Sequence, residues 1–469
     1  MKILLISPPK MKTQDSPLIV FEEVPKYYPP LDLMSIAACL KKDYDVEILD
    51  AQVLNLSYED IRQEIIAKSP NIIGIKTTIY TLLETIDVAK LIKEIDNSIH
   101  INLCGPHTHI FPEIINLPCI DSLIIGEEEI VFSQLVNSFH NLSQIKGIIY
   151  KENGQIIHSP SQEVIFNLDS LPYPAREMTP YKKYTINSNT IFTTILSSRG
   201  CPYDCLECHL PAFSKSFRTR SSVNVVNEIQ ECLKLGIQEF IFVDDVFTLN
   251  RKRVFELCDE IIRRNLKIKW RINARANNID YSLVLKLKEA GCHWIHYEMT
   301  SGVQSMLDFL KKEITLKQIQ YAIKVTQDVR ITSSVDIILG LPAQTKEDVQ
   351  ATLRVVNKIN PDFVNFLLNL PYLGPEGSKI LMWTQETSLS HYYRHLNLFF
   401  DSNLEFPLHQ NIDELITLLK LAYKKFYFRP GFFIKQSLTS HSYDVFKKRI
   451  KISLKVMVSE MGDSPESRK

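Results

Sequence analysis

The sequence predicts an α/β protein: an N-terminal Rossmann-like (flavodoxin-like) parallel-sheet domain, then a partial (β/α)6 TIM-type barrel and a helical C-terminal region. Short apolar runs alternate with helix-length amphipathic ones in two successive series. Between the series lies a proline-punctuated stretch, Leu168-Asp169-Ser170-Leu171-Pro172-Tyr173-Pro174. The 469 residues also exceed what one hydrophobic core usually organises.

In the first series the expected strands are Lys2 to Ser7, Val46 to Asp50, Ile72 to Thr77, His100 to Leu103 and Ser122 to Ile125. Helical patterns such as Leu31 to Lys41 and Leu82 to Ile95 fall between them. Ligands of such sheets sit beyond the carboxyl ends of the strands. Those ends carry Ser7-Pro8-Pro9, Thr77-Thr78, Cys104-Gly105-Pro106-His107 and Gly126-Glu127-Glu128. A hairpin is expected where Gly147 to Tyr150 and Ile156 to His158 flank Asn153-Gly154. The proline-punctuated stretch after it reads as a linker. The second series is Phe192 to Leu196, Phe240 to Val243, Lys267 to Ile272, Trp294 to Tyr297, Ser334 to Leu339 and Phe363 to Leu368. Six such units suggest a barrel whose chemistry lies on the loops after its strands. From about Ile380 the chain is helical and aromatic-rich, with a helix over Leu415 to Phe426. Its aromatics, Tyr392-Tyr393, Phe399-Phe400 and Tyr423 to Phe433, either pack a core or cover the barrel opening. The expected divisions are 1–140 (sheet domain), 141–190 (hairpin and linker), 191–380 (barrel) and 381–469 (helical region).

Lys plus Arg and Asp plus Glu both total 54, so the net field offers no argument for a nucleic-acid or acidic-membrane partner. No apolar stretch approaches the roughly 18 residues of a membrane span. Without a secretory signal, the nine cysteines suggest a reducing, cytoplasmic setting and raise metal binding as the question.

The strongest motif is Ser198-Arg199-Gly200-Cys201-Pro202-Tyr203-Asp204-Cys205-Leu206-Glu207-Cys208, directly after the first barrel strand. Three thiolates in one short loop can hold three irons of a 4Fe–4S cluster and leave the fourth open to a small molecule. Cys201, Cys205 and Cys208 with His209 can alternatively close a structural zinc site, although zinc ribbons usually split their ligands into separated pairs. Cys39, Cys232, Cys258 and Cys292 read as core fillers. His107 and His109 read as hydrogen-bonding groups rather than ligands. Asp244 and Asp245 serve either substrate or the cap of the following helix. Arg275 has a guanidinium fork suited to a carboxylate of cofactor or substrate, or to a surface ion pair.

At this point the chain resembles the radical S-adenosylmethionine (radical SAM) superfamily, and within it the branch with an N-terminal cobalamin (B12)-binding domain. The resemblance is carried by Tyr28-Pro29-Pro30-Leu31, Gly105-Pro106-His107, the proline-punctuated stretch and the three-cysteine loop. Phe242-Val243-Asp244-Asp245 and Leu339-Gly340-Leu341-Pro342 add to it. It implies that S-adenosylmethionine chelates the open iron, accepts an electron from the cluster and yields a 5'-deoxyadenosyl radical that takes hydrogen from a small-molecule substrate. The electron comes from an external flavodoxin- or ferredoxin-type reductant, and cobalamin carries a methyl group to an unactivated carbon. The cofactor-binding set it implies is Glu207, His209, Arg275, Thr300, Ser301 and Gly302 near the cluster. At the sheet edge it is Thr77, Thr78, Cys104, Gly105, Pro106, His107, Gly126 and Glu127.

This chain departs from the family at four points. Glu207 stands where an aromatic residue usually lies near adenine. Thr300 replaces a ribose-binding carboxylate, Cys104-Gly105 replaces paired glycines, and Gly126-Glu127-Glu128-Glu129 replaces Gly-Glu-Gly-Glu. The Asp-x-His-x-x-Gly motif of a lower cobalamin ligand is absent. A radical cyclase resembling the anaerobic magnesium-protoporphyrin monomethyl ester cyclase, and a tRNA methylthiotransferase, are the enzymatic alternatives. For the latter, Cys39, Cys104 and Cys119 have an unfamiliar spacing.

Overall fold

The computed structural model describes residues 1–9, 25–78, 81–186, 189–206, 208, 215–341, 344–368 and 412–432. Among these, 1–9, 25–202 and 215–240 form one compact unit, and 203–208 with 241–432 the other.

In the first unit the chain runs β1 (Lys2–Ser7), α1 (Leu31–Leu40), β2 (Asp45–Asp50), α2 (Ala51–Leu54), α3 (Tyr58–Lys68), β3 (Ile72–Lys76), α4 (Leu82–Ile95), β4 (His100–Cys104), α5 (Pro106–Ile110), β5 (Ser122–Ile124) and α6 (Glu128–Asn137). The hairpin strands β6 (Ile148–Glu152) and β7 (Gln155–His158) follow. The sheet order is β2-β1-β3-β4-β5-β6-β7. Its first five strands are parallel, and the last two pair antiparallel. The order reverses between β1 and β3, the switch point where a flavodoxin-like sheet opens its crevice. Ile3 to Ile6 are all buried, as a parallel strand covered on both faces requires. Gly74 on β3 admits Phe132 of α6, since a Cβ there would stand 2.6 Å from the ring. Asn153 and Gly154 both have positive φ, as a two-residue hairpin turn demands.

Two expectations change here. The hairpin is not a separate segment but extends the parallel sheet by pairing with β5. The proline-punctuated stretch, read as a linker, leads into packed chain. Just beyond it the Ala175 N–H donates to Met34 O at 3.0 Å, and Arg176 is buried against Glu228 at 2.6 Å.

The unit continues through β8 (Thr185–Ile186), β9 (Thr190–Ile195), β10 (Ser198–Arg199), β11 (Arg218–Thr219) and α7 (Ser222–Lys234). Then β12 (Glu239–Phe242) carries the chain across the division.

The second unit contains α8 (Arg251–Arg263), β13 (Lys269–Ala274), α9 (Tyr281–Glu289), β14 (Cys292–Thr300), α10 (Gln304–Phe309), α11 (Leu316–Asp328), β15 (Thr332–Leu339), α12 (Lys346–Ile359), β16 (Phe363–Leu368) and α13 (Ile412–Tyr427). Strands β13 to β16 pair in parallel in that order. All six barrel strands expected from the sequence are present, with ends within three residues of the expected ones. The alternating strands and helices form the partial barrel.

Strand parity assigns the faces. Tyr297 bonds Thr326 of α11 at 2.7 Å, and the Trp270 indole donates to Ala290 O at 2.8 Å, so these residues face the helices. Arg271, Trp294, His296, Ser334, Asp336 and Phe363 therefore share the other face. On α13, Tyr423 and Tyr427 complete the backbone bonds of β16. Their hydroxyls each accept an N–H from, and donate to the C=O of, Phe366 and Val364. These described aromatics pack and seal a strand edge. Tyr392, Tyr393, Phe399, Phe400 and Phe433 lie outside the described residues. Among the described residues no helix is long and apolar enough to cross a membrane.

Candidate functional site

The three-cysteine loop springs from a two-rung antiparallel ladder that pairs Ser198 with Thr219 and Arg199 with Arg218. Gly200 makes that stem possible. It has φ +90°, and a Cβ there would meet Ser216 O at 2.2 Å, so no side chain fits. Cys201 is buried, while Cys205 and Cys208 are half-buried, and none of the three is in a disulfide. Glu207 and His209 lie outside the described residues.

In the second unit the loop is stitched down at Leu206. Its N–H donates to Leu310 O at 3.0 Å, and its side chain packs on Met306, Leu310 and Leu341. Arg275, just past β13, lies with its guanidinium 3.5 Å from the centre of the Tyr203 ring. One Nη donates to Cys205 Sγ at 3.8 Å, and the other to Lys312 O. Arg275 is thus neither a surface ion pair nor directed at a carboxylate in this structure. It places positive charge beside the sulfur of Cys205, one of the three candidate cluster ligands.

Thr300 ends β14 at a register shift, buried and with φ +64°. A β-branched residue seldom adopts that conformation, and strain of about 1–3 kcal/mol of this kind tends to collect at functional sites. Its neighbours serve packing. Gly302 N donates to Thr352 Oγ1 at 3.0 Å, and the Ser301 and Thr352 hydroxyls are 3.4 Å apart. A Cβ on Gly302 would stand 2.6 Å from Thr352 Cα.

On the shared strand face, His296 bonds Asp336 Oδ2 at 2.9 Å and Ser334 Oγ at 2.8 Å. Burial pushes the imidazole pKa down, but the Asp336 charge outweighs this and leaves it above the ordinary value. Below them Trp294 stacks on Phe363 at 4.9 Å, with Arg271 over the Trp294 ring. The sequence reading missed this face. The available signal was the alternation of polar and aromatic residues at Trp294, His296 and Glu298 within a buried strand. Asp244 is buried against Arg253 at 3.3 Å, and Asn250 rather than Asp244 or Asp245 caps α8.

At the carboxyl edge of the first unit's sheet, Gly105 has φ +108°, and a Cβ there would lie 2.4 Å from Thr77 O. Pro106 opens α5, and His107 is buried and stacked on Phe111. Thr77 is buried, whereas Thr78 is half-buried and bonds Thr81. Cys104 turns inward, its thiol donating to Ile75 O, and does not crowd the edge. Glu128 accepts the Gly105 N–H at 2.5 Å. Burial, then the charges of Asp32 and Glu129, push its carboxyl up to about 8. Gly126 lies under Gln162. Glu127 does not face the edge; its carboxylate is taken by Arg199 and Arg218.

The residues fit a 4Fe–4S cluster. Three reduced thiols lie on one anchored loop, and Arg275 supplies charge compensation. Among the described residues no three His, Cys, Asp or Glu side chains converge as one metal ion would need, a convergence that a cluster, with each thiolate on its own iron, does not require. The other thiols are held protonated, burial pushing Cys39 up to about 11 and Cys232 and Cys292 up to about 12. The sheet edge suits cobalamin in that the chain turns sharply at Gly105, Thr78 offers a half-buried polar group, and Cys104 points inward and leaves the edge clear.

Comparison with known proteins agrees with this geometry. Residues 195–356 match the family model of the radical SAM superfamily, and residues 17–136 that of the B12 binding domain. An uncharacterised methyltransferase of Pyrococcus horikoshii is 30% identical over 472 residues, covering 97% of this chain and 98% of that protein. The anaerobic magnesium-protoporphyrin IX monomethyl ester cyclase of Rubrivivax gelatinosus is 30% identical over 368 residues, 75% of this chain and 66% of that protein. Among solved structures, the radical S-adenosylmethionine methyltransferase TsrM from Kitasatospora setae, with cobalamin and a 4Fe–4S cluster bound, shares the fold. Its TM-score is 0.73 at 16% identity, over 98% of this chain and 100% of that one. The cysteine loop, the two sheet architectures and these matches together establish that the chain belongs to the radical SAM superfamily, in the branch that carries a B12-binding domain ahead of the radical SAM domain.

Proposed function

We propose that the protein is a cobalamin-dependent radical SAM methyltransferase acting on an unactivated carbon of a small molecule. The observation that carries this reading is the anchored three-cysteine loop in a chain that also holds a B12-binding domain. When bound, the cluster with S-adenosylmethionine supplies a hydrogen-abstracting radical, and cobalamin supplies a transferable methyl group. Cys201, Cys205 and Cys208 would each hold one iron of the cluster. Arg275 sets a donor and a positive charge against Cys205 Sγ while Tyr203 fixes its plane. Thr300, with its φ of +64°, and the Ser301-Gly302 turn would border bound S-adenosylmethionine. Within the barrel unit, Trp294 and Phe363 exclude water from one end of the strand face. Above them Asp336 and Ser334 engage the two ring nitrogens of His296 and fix the ring on the strand face. Thr77, Thr78, Gly105 and His107 border the cobalamin side. An external flavodoxin or ferredoxin delivers the electron, and the setting is the cytoplasm.

The test is anaerobic reconstitution with iron and sulfide, then incubation with reductant, S-adenosylmethionine and cobalamin. Formation of 5'-deoxyadenosine is expected, and its absence with every reductant removes the radical step. A radical cyclase is the second reading, favoured by the Rubrivivax gelatinosus relative. Deuterium from methyl-labelled S-adenosylmethionine appearing in the product supports methyl transfer, and product without label supports cyclisation.

A further inference from the structure

The loop after β5 reads Gly126-Glu127-Glu128-Glu129, and its three carboxylates diverge. Glu128 turns back to the sheet edge at Gly105. Glu127 and Glu129 reach the stem of the three-cysteine loop instead. Arg199 donates to Glu127 Oε1 at 2.9 Å and to Glu129 Oε1 at 2.5 Å. Arg218 donates to both Glu127 oxygens at 3.0 Å and to Ile165 O at 2.7 Å. Glu129 and Arg218 are buried, and Arg199 and Glu127 nearly so, with side chains 19% and 16% exposed.

Arg199 and Arg218 are directly opposite in the β10–β11 ladder. The two carboxylates therefore grip both strands of the stem at one rung, two residues before Cys201. Just past the ladder Arg220 is held in turn by Glu228 of α7. A two-rung ladder has little stability alone, so these buried ion pairs add to what fixes the stem.

We propose that Glu127 and Glu129 are positioning residues for the iron–sulfur cluster: they hold the root of the three-cysteine loop through Arg199 and Arg218 rather than contacting cobalamin. Because Glu128 binds the Gly105 N–H, the same tripeptide ties the cluster loop to the sheet edge proposed for cobalamin. The inference rests on the reading of this loop as a cluster site. Groups that orient a metal site's ligands typically alter metal affinity by about 10–100-fold when removed.

The experiment reconstitutes full-length Glu127→Gln, Glu129→Gln, the double variant and Glu127→Asp with iron and sulfide, without oxygen, cobalamin or S-adenosylmethionine. Iron per chain, the rate of iron loss to a chelator, and the electron paramagnetic resonance spectrum of the reduced protein are read, with circular dichroism as the fold control. The double variant is expected to lose iron about 10-fold or more faster and to give a broadened signal. Glu127→Asp is expected to recover part of the difference. Should the double variant not fold, Arg199→Lys, which keeps the charge but removes the fork, is expected to show the same fast loss. Unchanged iron retention and spectrum in the folded variants overturn the proposal. Failure of the unmodified protein to take up iron and sulfide defeats the cluster reading itself, so the two failures are distinguishable.

Discussion

Two ion pairs of almost equal length allow burial to be separated from geometry. Lys41 and Glu177 approach to 2.5 Å with side chains 36% and 49% exposed, and Arg176 and Glu228 to 2.6 Å with 4% and 1% exposed. Glu228 also accepts from Arg220, so replacing it with alanine strands two guanidinium groups out of water. Breaking a buried pair from one side costs about 3–5 kcal/mol. Losing an exposed pair costs about 0–1 kcal/mol, because solvent already screens it. The expected gap between Glu228→Ala and Glu177→Ala is therefore roughly 3 kcal/mol. For a domain of about 200 residues the larger loss lowers Tm by roughly 6–20 °C, against under about 4 °C for the smaller.

Urea unfolding at pH 7, followed by far-ultraviolet circular dichroism, measures both. Burial pushes the Glu228 carboxyl up, but Arg176 and Arg220 outweigh it and hold it below the usual range. Its contribution is then complete above the unfolded value near 4.3 and lost as pH falls through the folded value, so the gap must close in acid. Equal costs for the two variants at neutral pH, or a Glu228→Ala loss below about 1 kcal/mol, would refute the argument that burial makes this network costly to break.

Three further outcomes are expected. Cys205→Ala abolishes iron retention after reconstitution yet leaves the first unit's far-ultraviolet signal and melting intact; loss of the whole fold favours a structural metal instead. Tyr423→Phe leaves the Phe366 N–H and C=O without their hydroxyl partner at a cost of about 1–3 kcal/mol, detectable as faster hydrogen exchange at Phe366, and unaltered exchange contradicts the edge-sealing role. Asp336→Asn lowers the His296 pKa, measured by NMR titration, below the ordinary 6.5. In the unmodified protein the pair's contribution is present below that value and fades as pH rises through the higher folded one, and a titration midpoint that Asp336→Asn does not move rejects the pairing.

The candidate site was legible where its signal is local. The cysteine spacing, the Asn153-Gly154 turn and the glycines at 105 and 200 each state a requirement of their own backbone, and the structure meets it within a few residues. Glu127 was not legible in the same way. Its motif position pointed to cobalamin, whereas its partners, Arg199 and Arg218, stand 72 and 91 residues further on. Asp244 likewise resembled a helix cap until packing gave it Arg253 and left the cap to Asn250.

Taken alone, the amino-acid order determined the two sheet series, the six barrel strands and the three-cysteine loop, because hydrophobic period, turn chemistry and ligand spacing act over a few residues. Tertiary structure decided which charge meets which: that Arg275 lies beside Cys205, that His296 leans on Asp336, that two glutamates grip a distant stem. Side chains far apart in the chain are brought together only when the backbone closes around them, and once they leave water an ionised group must find an opposite charge or give up its own.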